Sequence, residues 1–190
     1  AKDGYWKQGP GMKLFNAVEA KIGKQPIIAE DLGFLTDSVK KLLADSGFPG
    51  MKVFELGFDS RDTNGNGYQP HNFIRDCVAY TGTHDNETIV GWWKSITAAE
   101  RKLARDYLCD HATPEEELYK CFISLIMRSA ARVCVIPMQD YMGLDNRFRM
   151  NKPSTVGTNW KWRIKKRDLT KKLQKEIYDV TLRYGRKNWD

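Results

Sequence analysis

Apolar residues recur along this chain at two periods, and the alternation between them sets the expected architecture. Phe15, Val18 and Ile22 follow Met12 at helical spacing, and Gly23 is a natural stop, so a helix is expected between them. Pro26-Ile27-Ile28-Ala29 is a short apolar run that predicts a strand, with Glu30-Asp31-Leu32-Gly33 as its polar exit. Thr36 is placed to cap a second helix with Val39, Leu42 and Leu43 facing inward, ending at Gly47 with Pro49 beyond. Met51 to Phe54 predicts a further strand, which runs into a long polar loop from Asp59 to Asn72.

Cys77 to Thr81 is the most sharply bounded apolar run. At Gly82 it gives way to a turn carrying His84, Asp85 and Asn86 side by side. Glu87 to Trp93 reads as the start of a short helix, and Thr97-Ala98-Ala99-Glu100 and Thr113-Pro114-Glu115-Glu116 both have the form of capping boxes. The helix after the second box carries Leu118, Cys121, Phe122 and Leu125 on one face. Val133 to Ile136 predicts a last strand with Pro137-Met138-Gln139-Asp140 as its exit. Leu169, Leu173, Ile177, Val180 and Tyr184 form one apolar stripe on a closing helix, with Lys171, Lys172 and Lys175 on its far side.

Strands alternating with helices imply a parallel sheet with right-handed crossovers. In such sheets the loops after the strands' carboxyl ends hold the working side chains, which draws attention to Glu30 and to His84, Asp85 and Asn86. Four predicted strands are half the number in an eight-stranded α/β barrel of about 250 residues. The pattern therefore fits either a small open sheet or the back half of a barrel.

Composition narrows the class without naming a function. With 190 residues, 41% of them hydrophobic, the chain can bury one ordinary core. No stretch approaches the roughly 18 apolar residues of a membrane span. Ala1-Lys2-Asp3-Gly4 lacks a signal peptide's apolar centre, so a soluble protein with no membrane partner is expected, although an opening in mid-loop without Met equally fits a cut end. The net charge of +7 is all in the tail from Lys161 to Asp190, where eleven Lys and Arg face four Asp and Glu. That reads as a solvated helix face, and no nucleic-acid motif accompanies it. Cys77, Cys109, Cys121 and Cys134 form no Cys-x-x-Cys pair and read as buried free thiols, which favours a reducing, cytoplasmic setting.

Two metal readings fail on chemistry. Asp62-x-Asn64-x-Asn66-Gly67 imitates the start of a calcium loop, but its twelfth position is Phe73 where a bidentate Glu is needed. His71, His84 and Glu30 share no ligand spacing, so neither a metal nor any other cofactor is expected. Two carboxylates at neighbouring strand ends are what glycoside chemistry requires: one side chain protonates the leaving oxygen and another stabilises or traps the cationic sugar.

At these residues a resemblance becomes specific. Ile28-Ala29-Glu30-Asp31-Leu32-Gly33, Gly50-Met51-Lys52-Val53, Pro70-His71-Asn72, Tyr80-Thr81-Gly82-Thr83-His84-Asp85-Asn86 with Val90-Gly91-Trp92-Trp93, Ile136-Pro137-Met138-Gln139-Asp140, Arg149-Met150-Asn151 and Asn159-Trp160 occur in this order. The series resembles the 4-α-glucanotransferases, or amylomaltases, of the α-amylase clan, over nearly the whole chain. The resemblance implies a barrel enzyme that cleaves an α-1,4-glucan, holds the glycosyl piece covalently and passes it to the 4-hydroxyl of an acceptor glucose or glucan. It makes Glu30 the general acid/base and Asp85 the stabiliser of the distorted sugar. His84 and Asn86 stand beside Asp85 as substrate-binding residues, and Asp59 and Asn151 fall near sugar-binding positions. Glu30 and Asp85 are expected to line one sugar cleft.

The family's nucleophile is an Asp within an Arg-x-Asp-His segment, and no such segment occurs here. The motifs present are those of the fifth to eighth barrel strands and the C-terminal helix. Residues 1–190 are thus expected to be a single partial catalytic domain, the C-terminal half of a TIM barrel without its N-terminal half. By itself the chain is expected to be inactive and to self-associate through its unpaired strand edges. The rival readings are an α-glucan hydrolase of the same clan and a non-catalytic glucan-binding module.

Overall fold

The computed structural model describes residues 3–5, 7–33, 35–59 and 65–187, in two compact units, Ala1–Met51 and Lys52–Asp190. Asp62 and Asn64 of the calcium-like loop lie outside the described residues, as do Asn188 to Asp190 of the basic tail.

In the first unit, α1 (Met12–Ile22) and α2 (Asp37–Ser46) pack together, and the Phe15 ring meets Phe48 edge-on at 5.1 Å. Gly47 ends α2 in the left-handed conformation, φ 63°, as its position predicts. Thr36 stands at the N-cap of α2, but its hydroxyl pairs with Ser38 Oγ at 2.9 Å and gives the helix no side-chain cap. Pro26–Ala29 departs from expectation, because it forms no strand. Proline brings no donor, Ile28 is 49% exposed, and the Ala29 N–H reaches only the carbonyl of Pro49, at 2.9 Å. Asp31 anchors this segment from within. It is 9% exposed, and its Oδ1 accepts the Met51 N–H at 2.6 Å. A Cβ on Gly50 would stand 2.5 Å from that carboxyl, so glycine there permits the close approach.

The sheet runs β1 (Gly50–Val53), β2 (Cys77–Tyr80), β3 (Val133–Val135) in that order. β2 and β3 are parallel, with Val78 opposite Val133, Ala79 opposite Cys134 and Tyr80 opposite Val135. β2 is central and buried. β3 lies at the edge, leaving Val133 and Val135 43% and 44% exposed.

The second unit's core is an aromatic cluster on the helices that follow β2. α3 (Ile89–Ser95) supplies Trp92 and Trp93, and α5 (Leu118–Met127) supplies Leu118, Phe122, Leu125 and Ile126. Phe54 and Phe58, from the turn after β1, complete it, with Phe54, Trp92 and Phe122 rings 5.2–5.5 Å apart. The tryptophan pair is thus packing, at 6% and 4% exposure. α4 (Ala98–Leu108) begins on a full capping box formed by Thr97 and Glu100, as its sequence predicts. The second predicted box does not form. Thr113 turns its hydroxyl to Asp110 at 2.5 Å, Pro114 leads into a short 3-10 turn at Glu115–Glu117, and α5 starts only at Leu118. Asp110 offers an acceptor to Thr113 and the backbone at once, so the local loop outcompetes the cap.

Two further helices follow, the short α6 (Met138–Tyr141) and the long α7 (Lys171–Arg183), with Thr170 capping α7. α7 lies against α5 and buries Leu173, while Leu169 precedes the helix and is 42% exposed. Beyond it, Arg186 donates to the carbonyls of Met127, Ser129 and Ala131 at 2.6–3.0 Å, so one cation of the basic tail closes the end of α5. All four cysteines are free, but only Cys77 is buried. Cys109, at the left-handed C-cap of α4 with φ 52°, is exposed. No helix of the described residues is long and apolar enough to cross a membrane. Nor does any group of three His, Cys, Asp or Glu side chains among them stand ready to hold a metal ion.

Candidate active site

The site is built where β2 ends. Thr81 leaves the strand fully buried, Gly82 turns the chain, and Asn86 folds back so that its Oδ1 accepts the Thr83 N–H at 2.9 Å and the Thr83 hydroxyl at 2.7 Å. This closed turn lifts His84 and Asp85 out of the sheet. Their side chains are 55% and 51% exposed, with His84 Nε2 3.4 Å from Asp85 Oδ2.

A second segment meets the turn from 64 and 66 positions further along. Arg149 Nη2 donates to the Asp85 carbonyl at 2.9 Å, and Asn151 Nδ2 donates to Asp85 Oδ1 at 2.5 Å. Both oxygens of Asp85 therefore have a neighbour, Asn151 on one and His84 on the other. Trp160 lays its ring 5.1 Å from that of His84. Trp160 is 52% exposed and adopts φ 64°, a left-handed conformation that costs a bulky residue about 1–2 kcal/mol.

A cavity of about 140 Å³ opens here, walled by Thr83, His84, Asn86, Gln139, Asp140 and Arg149 among others. Acidic side chains to which sequence reading gave no role gather here. Asp140 is fully buried, and burial pushes its carboxyl up to about 6, against hydrogen bonds from Thr81 and Ile89. Glu55, 8% exposed, is held well above the ordinary carboxyl range by burial first and then by Asp140 and Glu87, with Arg149 opposing. Its Oε1 has no hydrogen-bond partner among the described residues, and a Cβ on Gly82 would stand 2.8 Å from it. Glu87 accepts Asn146 Nδ2 at 2.5 Å.

Of the residues singled out in the sequence, His84, Asp85, Asn86 and Asn151 are brought together. Asn86 spends its side-chain oxygen on the turn. Asp59 lines a different hollow, with Glu55, Phe58, Trp92 and Glu100. Glu30 lies in the first unit, exposed, next to the anchored Asp31. Arg149 and Trp160 stood in quoted motifs without a role, and their identity as a guanidinium and an aromatic was the available signal.

Comparison with known proteins identifies the family. The sequence profile of the 4-alpha-glucanotransferases matches residues 1–170. The 4-alpha-glucanotransferase of Clostridium butyricum is 43% identical over 98% of this chain, and the chloroplastic/amyloplastic 4-alpha-glucanotransferase of Solanum tuberosum is 41% identical over 96%. Amylomaltase from Streptococcus agalactiae, solved in complex with acarbose, superposes with a TM-score of 0.90 at 39% identity over 98% of the chain. The chain spans 38%, 32% and 37% of these three proteins' own lengths. It belongs to the 4-alpha-glucanotransferase family.

Proposed function

We propose that this chain forms the acid/base and cation-stabilising part of a 4-α-glucanotransferase, which moves a segment of an α-1,4-glucan to the 4-hydroxyl of a glucose or glucan acceptor by retaining double displacement. The reading assigns the chain to about the fifth to eighth strands of a TIM barrel, as one partial catalytic domain. Asp85 binds hydroxyls of the donor sugar and stabilises positive charge as the glycosidic bond breaks. Glu30 protonates the leaving oxygen and later takes the acceptor's proton. His84, Asn86, Asp59 and Asn151 contribute sugar contacts. Retaining transfer also needs a nucleophilic carboxylate about 5–5.5 Å from the acid, and these 190 residues hold no Arg-x-Asp-His segment, so that group would come from polypeptide beyond them.

The observation that carries the reading is the setting of Asp85. A half-exposed carboxylate stands at a strand's carboxyl end, held by Asn151 and His84, beside a cavity and an exposed indole. The free cysteines fit a reducing compartment such as the cytoplasm, and the exposed edge of β3 gives the isolated chain a surface for self-association.

Maltotriose disproportionation tests the reading in the longer protein that carries this chain. Longer glucans should accumulate, and Glu30→Gln and Asp85→Asn should each lower turnover at least a hundredfold with the fold intact. Near-normal transfer by both variants would refute the assignment. Products that are exclusively shorter would make the protein a hydrolase, and glucan binding without turnover would make it a binding module.

A further inference from the structure

Two consecutive residues of α6, Gln139 and Asp140, each reach one of the two segments that meet at Asp85. Asp140 Oδ2 accepts the Thr81 hydroxyl at 2.5 Å, and its Oδ1 accepts the Ile89 N–H at 2.8 Å. Thr81 precedes the Asp85 turn and Ile89 follows it, so one carboxyl closes the whole loop at its base. Gln139 Nε2 donates to the Phe148 carbonyl at 3.2 Å, immediately before the segment that carries Arg149 and Asn151. Both residues are almost inaccessible, at 0% and 5% exposure.

We infer that Asp140, with Gln139 beside it, is a positioning residue that sets the Asp85 loop against Asn151. A carboxyl buried without a cation hydrogen-bonded to it is an expensive way to satisfy one helix N–H, which an uncharged side chain would do at less cost. What a two-oxygen acceptor adds is a simultaneous grip on two separate stretches of chain. The Ile89 N–H is one of the amides left open at the start of α3, and Thr88, the N-cap, already serves Gly91. With both ends of the loop fixed and the opposing segment tied to the same short helix, the Asp85–Asn151 contact is held from below. The catalytic consequence rests on the role proposed for Asp85, whereas the grip itself does not.

Amide hydrogen exchange in the full chain reads the grip directly. Asp140→Ala should speed exchange at residues 83–89 at least tenfold more than in β2 or α5, and Asp140→Asn, which keeps an acceptor for Ile89 and a partner for Thr81, should restore protection. Phe122→Ala, a core truncation outside the site, should speed exchange in the loop, β2 and α5 together. If Asp140→Ala gives the same uniform pattern as Phe122→Ala, or leaves the loop unchanged, the inference is overturned. Should Asp140→Ala fail to fold, Thr81→Val removes one of the two bonds, and unchanged protection of residues 83–86 in that variant would equally refute it. In the longer transferase, Asp140→Ala should lower kcat about tenfold with KM nearly constant, and Asp140→Asn should recover it. Loop-confined exchange with unaltered kcat would uphold the grip and refute its link to catalysis through Asp85.

Discussion

Asn151 Nδ2 donates a 2.5 Å hydrogen bond to Asp85 Oδ1, joining two residues 66 positions apart. An amide donor at one carboxylate oxygen and His84 near the other restrict how the Asp85 carboxyl can turn. A fixed carboxylate acts on a developing cation without first reorganising, which is where such groups gain their effect. If Asp85 has the proposed role, Asn151→Ala should lower kcat of the longer protein that carries this chain about five- to tenfold, the worth of one partly exposed hydrogen bond. Asn151→Asp should be more damaging, because it sets a second carboxyl against the first. Steady-state kinetics on both variants checks this, and full turnover by the alanine variant would remove Asn151 from the site.

Trp160 combines an exposed ring, a left-handed backbone and a neighbouring imidazole. Trp160→Ala should raise KM for maltotriose up to about tenfold while changing kcat little, since stacking contributes about 0.5–1.5 kcal/mol. Trp160→Gly should unfold later than Trp160→Ala by about 1 kcal/mol, because glycine alone accepts φ 64° without penalty. Chemical denaturation of the two variants separates the backbone effect from the ring.

Gly82 lies where β2 hands over to the turn, and an added Cβ would come within 2.8 Å of Glu55 Oε1 and 3.1 Å of the Glu87 carbonyl oxygen. One contact is to backbone, so side-chain motion alone cannot relieve it. Gly82→Ala should destabilise the chain by about 1–3 kcal/mol. Combined with Glu55→Ala the penalty should shrink only in part, which a double-mutant cycle measures.

Asp140 predicts an unusual pH dependence. Its folded carboxyl titrates at about 6, above the 3.8 of an ordinary Asp. Between those values the folded chain keeps a proton that the unfolded chain has released, so stability falls as pH rises through about 4 to 6 and levels off above. The loss attributable to this group is about 3 kcal/mol. Glu55 is shifted in the same direction and extends the effect. Asp140→Asn should flatten its share of the slope, and urea midpoints at pH 4.5 and 7.5 for wild type and variant test this. Equal losses in both would show that Asp140 is not the group responsible.

Much of the fold was legible because it follows from neighbours in sequence. The apolar face of α5, the capping box of α4 and the glycine stop of α2 depend on residues three to four positions apart, and each appears where its pattern puts it. Pro26–Ala29 read as a strand and is not one, because strand formation also requires hydrogen-bonding neighbours that composition does not encode. Thr113 read as a cap and is diverted by Asp110, since both outcomes use the same hydroxyl and differ only in loop geometry.

From the sequence alone came the residue types available for chemistry, the bounded strand and turn that present His84 and Asp85, and the ordered motifs of a glucanotransferase. Those are local properties, carried by spacing and side-chain identity. Which distant residues support Asp85 was decided only in three dimensions: Arg149 and Asn151 on its carbonyl and carboxyl, Trp160 over His84, and Asp140 and Glu55 packed below the turn. Such contacts join positions scores of residues apart through burial and hydrogen bonding, and no period or spacing along a chain records that approach.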